Sequence, residues 1–483
     1  MRKLFTILVL ATVTISCQKE EKLDITTITI ETDIDSFATP KLFRPIDGIL
    51  MWDNNVDSLL INSDYKYSGS FNIEKPEYVR LLLNKERYGM ILLTNQNYNI
   101  TLKDSTIVFS GDNAKGQQLY NTFDRTPTGA FSFLNNFDKD STSVLLKTHI
   151  DDLKAKEIVQ INNLKGQKEI DNQFHELLKI DIDYYYANAI VSLADYRKGQ
   201  VEDEYKKSFE DLSDRANKKY PYKVHSKPQN WTDYVMEAKI YPEVQNKYSQ
   251  EQRYAFYAKD SIHPIYLSAI KNVIDEPFRE HLLANYIINN SKQTNYEQSL
   301  VIAFDEFNKD YPNSEFTEYL KSDISVIRDY HEKIKKDLSQ SVIFIEGESI
   351  NSLVELLKEF EGQKLYIDVW ATWCGPCKKE FSNNHKIAGM LEDNGYKKLF
   401  ISLDRENEKD KWMDLIKYYE LSGYHHLANQ EFYKDFASEH SRIQNGITIP
   451  QYLIVNDKGE IVTNNAPRPG KPDEVLKIIM DQI

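Results

Sequence analysis

From residue 25 the chain alternates between apolar and polar positions. Ile28 and Ile30 sit among threonines, and the period of two returns at Tyr65-Lys66-Tyr67, Phe71-Asn72-Ile73 and Tyr98-Asn99-Ile100-Thr101-Leu102. That period belongs to strands with one buried face. Tyr78 to Leu83 and Met90 to Leu93 are near-continuous apolar runs, the pattern of more deeply buried strands, and Asn95-Gln96-Asn97 and Gly111-Asp112-Asn113 supply turn chemistry. Residues 25–120 are predicted to form a small antiparallel sandwich or barrel, with no catalytic constellation in it.

From Val144 the period lengthens. Leu146, Ile150, Leu153, Ile158, Ile161 and Leu164 follow helical spacing up to Gly166, and Ile170, Phe174, Leu177 and Tyr184 begin a second helix that Gly199 ends. Later clusters, such as Leu282-Leu283-Tyr286-Ile287 and Leu320-Ile324-Ile327, continue the pattern. Residues 121–338 therefore read as an all-α domain of antiparallel helices. Tyr184-Tyr185-Tyr186 on a long helix reads as core packing. His263 and His281 have no partners at metal-ligand spacing.

After residue 339 strands and helices alternate. Val342 to Ile345, Leu365 to Val369 and Lys398 to Leu403 read as strands, Leu353 to Phe360 and Trp412 to Tyr419 as helices, and Phe381 to Leu391 as the continuation of a helix that begins beside two cysteines. Tyr452-Leu453-Ile454-Val455, a turn at Asn456-Asp457-Lys458-Gly459, and Glu460-Ile461-Val462 form a hairpin, and Val475 to Met480 a last helix. The strand Leu365–Val369 runs directly into Trp370-Ala371-Thr372-Trp373-Cys374-Gly375-Pro376-Cys377. A strand that delivers Cys374 to a helix start places its sulfur among free backbone N–H groups, which favour the nucleophilic thiolate. Cys377, one helical turn on, can close on it.

The Trp-Ala-x-Trp-Cys-Gly-Pro-Cys motif resembles the thioredoxin superfamily, and Ala-Thr-Trp-Cys its TlpA/ResA-like branch. The resemblance covers the last third of the chain and implies a C-terminal α/β thioredoxin fold with thiol-disulfide oxidoreductase activity. It implies that Cys374 is the nucleophile and Cys377 the resolving thiol. Asp368, six residues before Cys374, matches the family's buried acid, whose raised pKa suits it to accept the proton of the second thiol. Pro450 matches the cis-proline, with Ile449 offering its backbone, and Trp373, Gly375 and Pro376 their surface, to an extended substrate. Gly-Pro between the cysteines and Ile before the proline are the choices of reducing thioredoxins, whose thiol pKa is about 7 and potential about −270 mV. Arg468 also matches a position shared by the family, with no chemical role attached to it.

Composition narrows the setting. At 483 residues the chain is too long for one core. The expected architecture is multidomain, with an N-terminal β-sandwich-like module, an all-α middle domain and the thioredoxin fold at 339–483. A net charge of −14 offers no basic footprint for nucleic acid. Of the three cysteines, Cys374 and Cys377 form the motif and Cys17 ends the N-terminal apolar segment, so none remains for a structural disulfide. A Cys-x-x-Cys zinc half-site would need both remaining ligands from His425-His426, in an expected loop, so no metal is assigned. The redox-active Cys374–Cys377 disulfide is the only cofactor expected.

The N-terminus reads as an address. Met1-Arg2-Lys3 is basic, Leu4 to Ile15 is apolar but short of the roughly 18 residues a membrane span needs, and Thr14-Ile15-Ser16-Cys17 resembles a lipobox with Thr14 in place of the usual Leu. Residues 1–16 are expected to be a signal peptide and 17–24 a tether lipidated at Cys17, with Gln18-Lys19-Glu20-Glu21 compatible with surface export. The protein is expected in the cell envelope, lipid-anchored on the periplasmic face or the cell surface. Expected partners are protein thiols and disulfides and an upstream membrane or envelope electron donor. The rival reading is a surface binding or assembly lipoprotein whose redox domain serves one dedicated partner.

Overall fold

The computed structural model describes residues 25–33, 38–46, 55–62, 66–103, 106–123, 125, 137, 142–345, 350–443 and 446–481. Cys17 and the rest of the N-terminal address lie outside them. The chain divides into two compact units, 1–246 and 247–483. The division runs through the helical stretch. Among the described residues no helix is long and apolar enough to cross a membrane.

The first unit begins with β1 (Ile25–Thr32), β2 (Lys41–Phe43), β3 (Val56–Ser58), β4 (Leu60–Ile61), β5 (Tyr67–Asn72), β6 (Glu77–Leu83), β7 (Glu86–Leu92), β8 (Asn97–Lys103) and β9 (Thr106–Gly111). They form one sheet of order β4-β5-β1-β8-β9 and another of order β3-β2-β6-β7, among the described residues. Ile28, Ile30 and Ile100 from one sheet and Leu81, Met90 and Leu92 from the other share a core. The wholly antiparallel sandwich expected from the pattern needs correction at one pair, since β1 runs parallel to β8. Side chains alternate with a period of two in both ladder types, so the pattern cannot report direction.

Helices α1 (Ala114–Tyr120), α2 (Ser143–Gly166), α3 (Asn172–Lys198), α4 (Asp203–Lys219) and α5 (Gln229–Val235) follow, then a π-helical turn, Met236–Ile240, and α6 (Tyr241–Lys247). Asp171 caps α3 by accepting from Phe174 N–H at 2.7 Å. α3 is packed by α2, α4 and α5, so its apolar residues surround it, and Tyr184, Tyr185 and Tyr186 are all buried. Tyr186 Oη donates to Glu157 at 2.9 Å, which also accepts from Arg125 at 2.7 Å.

The second unit opens with α7 (Gln250–Ala258), α8 (Ile262–Val273), α9 (Phe278–Ser291), α10 (Gln298–Asp310) and α11 (Thr317–Lys333). Then come β10 (Val342–Phe344), α12 (Leu353–Lys358), β11 (Lys364–Trp370), α13 (Gly375–Phe381), α14 (Asn384–Asp393), β12 (Tyr396–Ser402), α15 (Lys409–Tyr418), β13 (Gly423–Leu427), α16 (Gln430–Glu439), β14 (Gln451–Val455), β15 (Ile461–Thr463) and α17 (Pro472–Met480). The sheet order is β10-β13-β12-β11-β14-β15. β11 lies in its middle, parallel to β12 and antiparallel to β14. Leu365, Ile367 and Val369 pack with Leu353 and Leu356 of α12 and Phe432 and Phe436 of α16. Tyr366, on the other face, packs with Ile387 and Leu391 of α14 and Val475 and Ile479 of α17. Asp368 shares the parity of Tyr366 and belongs to this second face.

Two expectations are corrected here. The helix starting at the cysteines does not continue from Phe381 to Leu391. Ser382 Oγ donates to Lys379 O and Asn383 N–H to Glu380 O, both at 2.8 Å, so short polar residues end α13 and α14 starts afresh. His425 and His426 are not in a loop but on β13, and both are buried.

Candidate active site

β11 ends at Trp370, and a turn closed by Cys374 N–H to Ala371 O at 3.0 Å leads into α13. Cys374 is the N-cap of that helix. Pro376 stands in its first turn, where a missing N–H breaks no helical bond. Cys374 and Cys377 are joined as a disulfide with their Cα atoms 5.3 Å apart, and Cys374 Sγ accepts the Cys377 N–H at 3.1 Å. Cys374 is 4% exposed and Cys377 0%, so the leading sulfur is the less buried of the two. Trp373 is 60% exposed beside it, and Gly375 and Pro376 are exposed as well. A side chain at position 375 would meet nothing within 4 Å, so this stretch offers open surface.

Asp368 is buried on β11, opposite Phe400 of β12 and Tyr452 of β14. Neither carboxyl oxygen has a hydrogen-bond partner. Burial raises its pKa well above the carboxylate range, with Lys398 opposing and Glu380 adding to the shift. Lys398 is shifted the other way, downward, by the same burial, and its Nζ donates to Asn384 Oδ1 at 2.7 Å.

The Ile449–Pro450 peptide is cis. Gln451 pairs with Val369, which sets Pro450 at the end of β11 that leads to the cysteines. Arg442 holds this turn, donating to Pro450 O at 3.0 Å and Thr448 O at 3.3 Å, and to Asn465 Oδ1 at 2.8 Å. Ile449 is half-buried against the core below.

Asp404 fixes the approach to the motif. It accepts from Thr372 N–H and Thr372 Oγ1, each at 2.8 Å, and from Ser402 Oγ at 2.6 Å. On the motif helix, Glu380 accepts from Gly470 N–H and Asn383 Nδ2, both at 3.2 Å. It lies 3.7 Å from Arg468 Nη1, so that arginine ties the Pro467–Pro469 turn to α13. A crevice of about 1370 Å³ opens beside the motif, with Trp373, Asp404, Trp412, Phe344, His426 and Tyr433 in its wall.

The two histidines weighed as metal ligands are adjacent on a strand and face opposite sides of the sheet. His425 stacks on Phe400 with centroids 4.8 Å apart and bonds Leu421 O at 2.8 Å, while His426 packs on Phe432. Among the described residues no three His, Cys, Asp or Glu side chains are grouped to hold a metal ion.

The structure thus brings Asp368, Trp373, Cys374, Gly375, Pro376, Cys377, Ile449 and Pro450 to the C-terminal end of β11. Lys378, Glu380, Asp404 and Arg442, which carried no signal, join them, and Lys398, opposite Tyr366 nearer the start of β11, acts on Asp368. Each is a charged residue, and only its partner elsewhere in the chain reveals that it is not a solvated face.

Residues 335–478 match the Redoxin family. The thiol-disulfide oxidoreductase ResA of Bacillus thuringiensis subsp. konkukian is 29% identical over 77 residues, 16% of this chain and 40% of that protein. ResA of Halalkalibacterium halodurans is 35% identical over 51 residues, 11% of this chain and 26% of its own length. The chain therefore spans less than half the length of the curated relatives it matches. The thioredoxin domain of a thiol-disulfide oxidoreductase from Bacteroides vulgatus aligns over 26% of this chain and 84% of its own, with 23% identity and a TM-score of 0.22.

Proposed function

From the premise that the C-terminal third, residues 335–478, is a Redoxin domain of the thioredoxin superfamily, TlpA/ResA-like in kind, we propose that this protein reduces protein disulfides through a Cys374/Cys377 dithiol. Two observations carry the reading. Cys374 caps a helix with its sulfur taking the Cys377 N–H at 3.1 Å, and the core strand feeding it holds a carboxyl without a hydrogen-bond partner.

The Cys374 thiolate attacks one sulfur of a substrate disulfide. A Cys374–substrate disulfide forms and the other substrate sulfur leaves as a thiolate. Cys377 then loses its proton, with Asp368 as acceptor, and attacks Cys374 Sγ. The second substrate sulfur departs, and the dithiol has passed two electrons and become the Cys374–Cys377 disulfide. A thiol-bearing donor restores it. Asp368 suits its part because burial raises its proton affinity. Trp373, Gly375, Pro376 and the Thr448–Pro450 turn make the docking surface, where an extended peptide would pair with the backbone of Ile449.

The N-terminal pattern ending at Cys17 supports placing this chemistry in the cell envelope on a lipid anchor. Labelling of the full chain with a fatty-acid analogue, lost in Cys17→Ala, tests that placement. The catalytic reading is tested by reduction of insulin disulfides with dithiothreitol. The wild-type chain should accelerate it, and Cys374→Ser and Cys377→Ser should not. A wild-type chain no faster than dithiothreitol alone rejects it and favours a binding lipoprotein whose redox domain serves one dedicated partner.

A further inference from the structure

Lys378 is a lysine where the packing has little room for one. It directly follows Cys377 and is 4% exposed. Nζ donates to the Thr294 carbonyl at 2.9 Å and lies 5.9 Å from the Tyr296 ring centroid. Both residues belong to the turn between α9 and α10. Thr294 and Tyr296 have φ of 56° and 60°, left-handed values that side chains other than glycine adopt at a cost. The turn is locked in place. Tyr296 stacks on Tyr330 of α11 with centroids 4.5 Å apart, and its hydroxyl meets that of Tyr419 at 2.5 Å. The Tyr419 ring packs on Phe381, the last residue of α13.

We propose that this turn of the helical segment is part of the redox machinery: through Lys378 it holds a buried ammonium against the motif helix, and that charge favours the reduced, thiolate form of the Cys374–Cys377 couple. The inference rests on the disulfide-exchange reading above. Lys378 stands four residues after Cys374, on the same helix face, and helical side chains lean over the preceding turn. The charged groups acting on the ammonium are Lys411, which opposes it, and Glu297 and Asp404, which support it. Burial brings its pKa down to about 8, so it still carries its proton at neutral pH. A cation beside a thiol favours the thiolate, and whatever stabilises the reduced pair draws its equilibrium toward reduction. Lys378 is a positioning residue in this sense; it exchanges no bond with substrate.

The test uses the full chain in glutathione buffers of graded potential, with the dithiol fraction read by alkylation and mass. Lys378→Met should shift the equilibrium about tenfold toward the disulfide, roughly 30 mV for two electrons, and raise the pH midpoint of Cys374 alkylation. Lys378→Arg, which keeps the charge, should stay within about threefold of wild type. Tyr296→Leu should shift in the direction of Lys378→Met by less. Lys417 supplies the control, since its Nζ also bridges to the helical segment, at Ile334 O at 3.2 Å, but from outside the motif helix. Lys417→Met should leave the couple unchanged. Equal equilibria and alkylation midpoints for wild type and Lys378→Met overturn this inference alone, and so does an equal shift in Lys417→Met. A wild-type pair that never cycles with glutathione overturns the disulfide-exchange reading and this inference with it.

Discussion

Asp368 and Lys398 act on each other without bonding. Lys398 donates to Asn384 Oδ1 at 2.7 Å, and both Asp368 oxygens lack a partner. Each nevertheless opposes the shift that burial imposes on the other. In the proposed function this raised proton affinity lets Asp368 accept a proton from Cys377.

The carboxyl's pKa is raised in the folded chain, from 3.8 to about 7, so the native state binds the extra proton across that window. Stability contributed by this group is present below the unfolded value and is lost as pH rises through the folded one. Asp368→Asn should therefore match wild type below about pH 4 and exceed it at pH 7 by about 1–3 kcal/mol, in denaturant titrations at both pH values. Insulin reduction by this variant should fall about 10²-fold at pH 7. Equal stability at both pH values would show that the carboxyl is not held in this way.

Trp373 is open to solvent on the crevice wall, so Trp373→Ala should change stability by no more than about 0.5 kcal/mol. KM for a protein disulfide should rise several-fold, with the reaction of Cys374 toward a small alkylating thiol reagent little altered. A stability loss of core size would mean the ring packs inward.

Arg442 ties Thr448 and Pro450 through their carbonyls. Arg442→Ala should cost on the order of 1 kcal/mol and raise KM for protein substrates more than it lowers kcat. An unchanged KM would separate this turn from substrate docking.

Much of this site was legible because its core elements are local. Leu365–Val369 is an apolar run, and the Cys-Gly-Pro-Cys spacing stands on its own, so the strand, the turn and the cysteine pair could be read without neighbours. Asp368 and Pro450 became legible through the family resemblance. Lys378 and Lys398 did not, since a lysine in a polar helix or at a strand end reads as solvated; the carbonyl that buries Lys378 is 84 residues away. The break after Phe381 was missed because Ser382 and Asn383 compete for backbone bonds without interrupting the apolar spacing. The parallel pairing of β1 with β8 was missed because strand direction leaves no mark on alternation.

Covalent trapping in cells distinguishes Cys374 as the attacking sulfur from Cys377 as the resolving one. Cys377→Ser should accumulate mixed disulfides through Cys374 that dithiothreitol releases, and Cys374→Ser, with only the fully buried sulfur left, should accumulate none. Adducts on Cys374→Ser in place of Cys377→Ser, or on neither, would contradict that assignment.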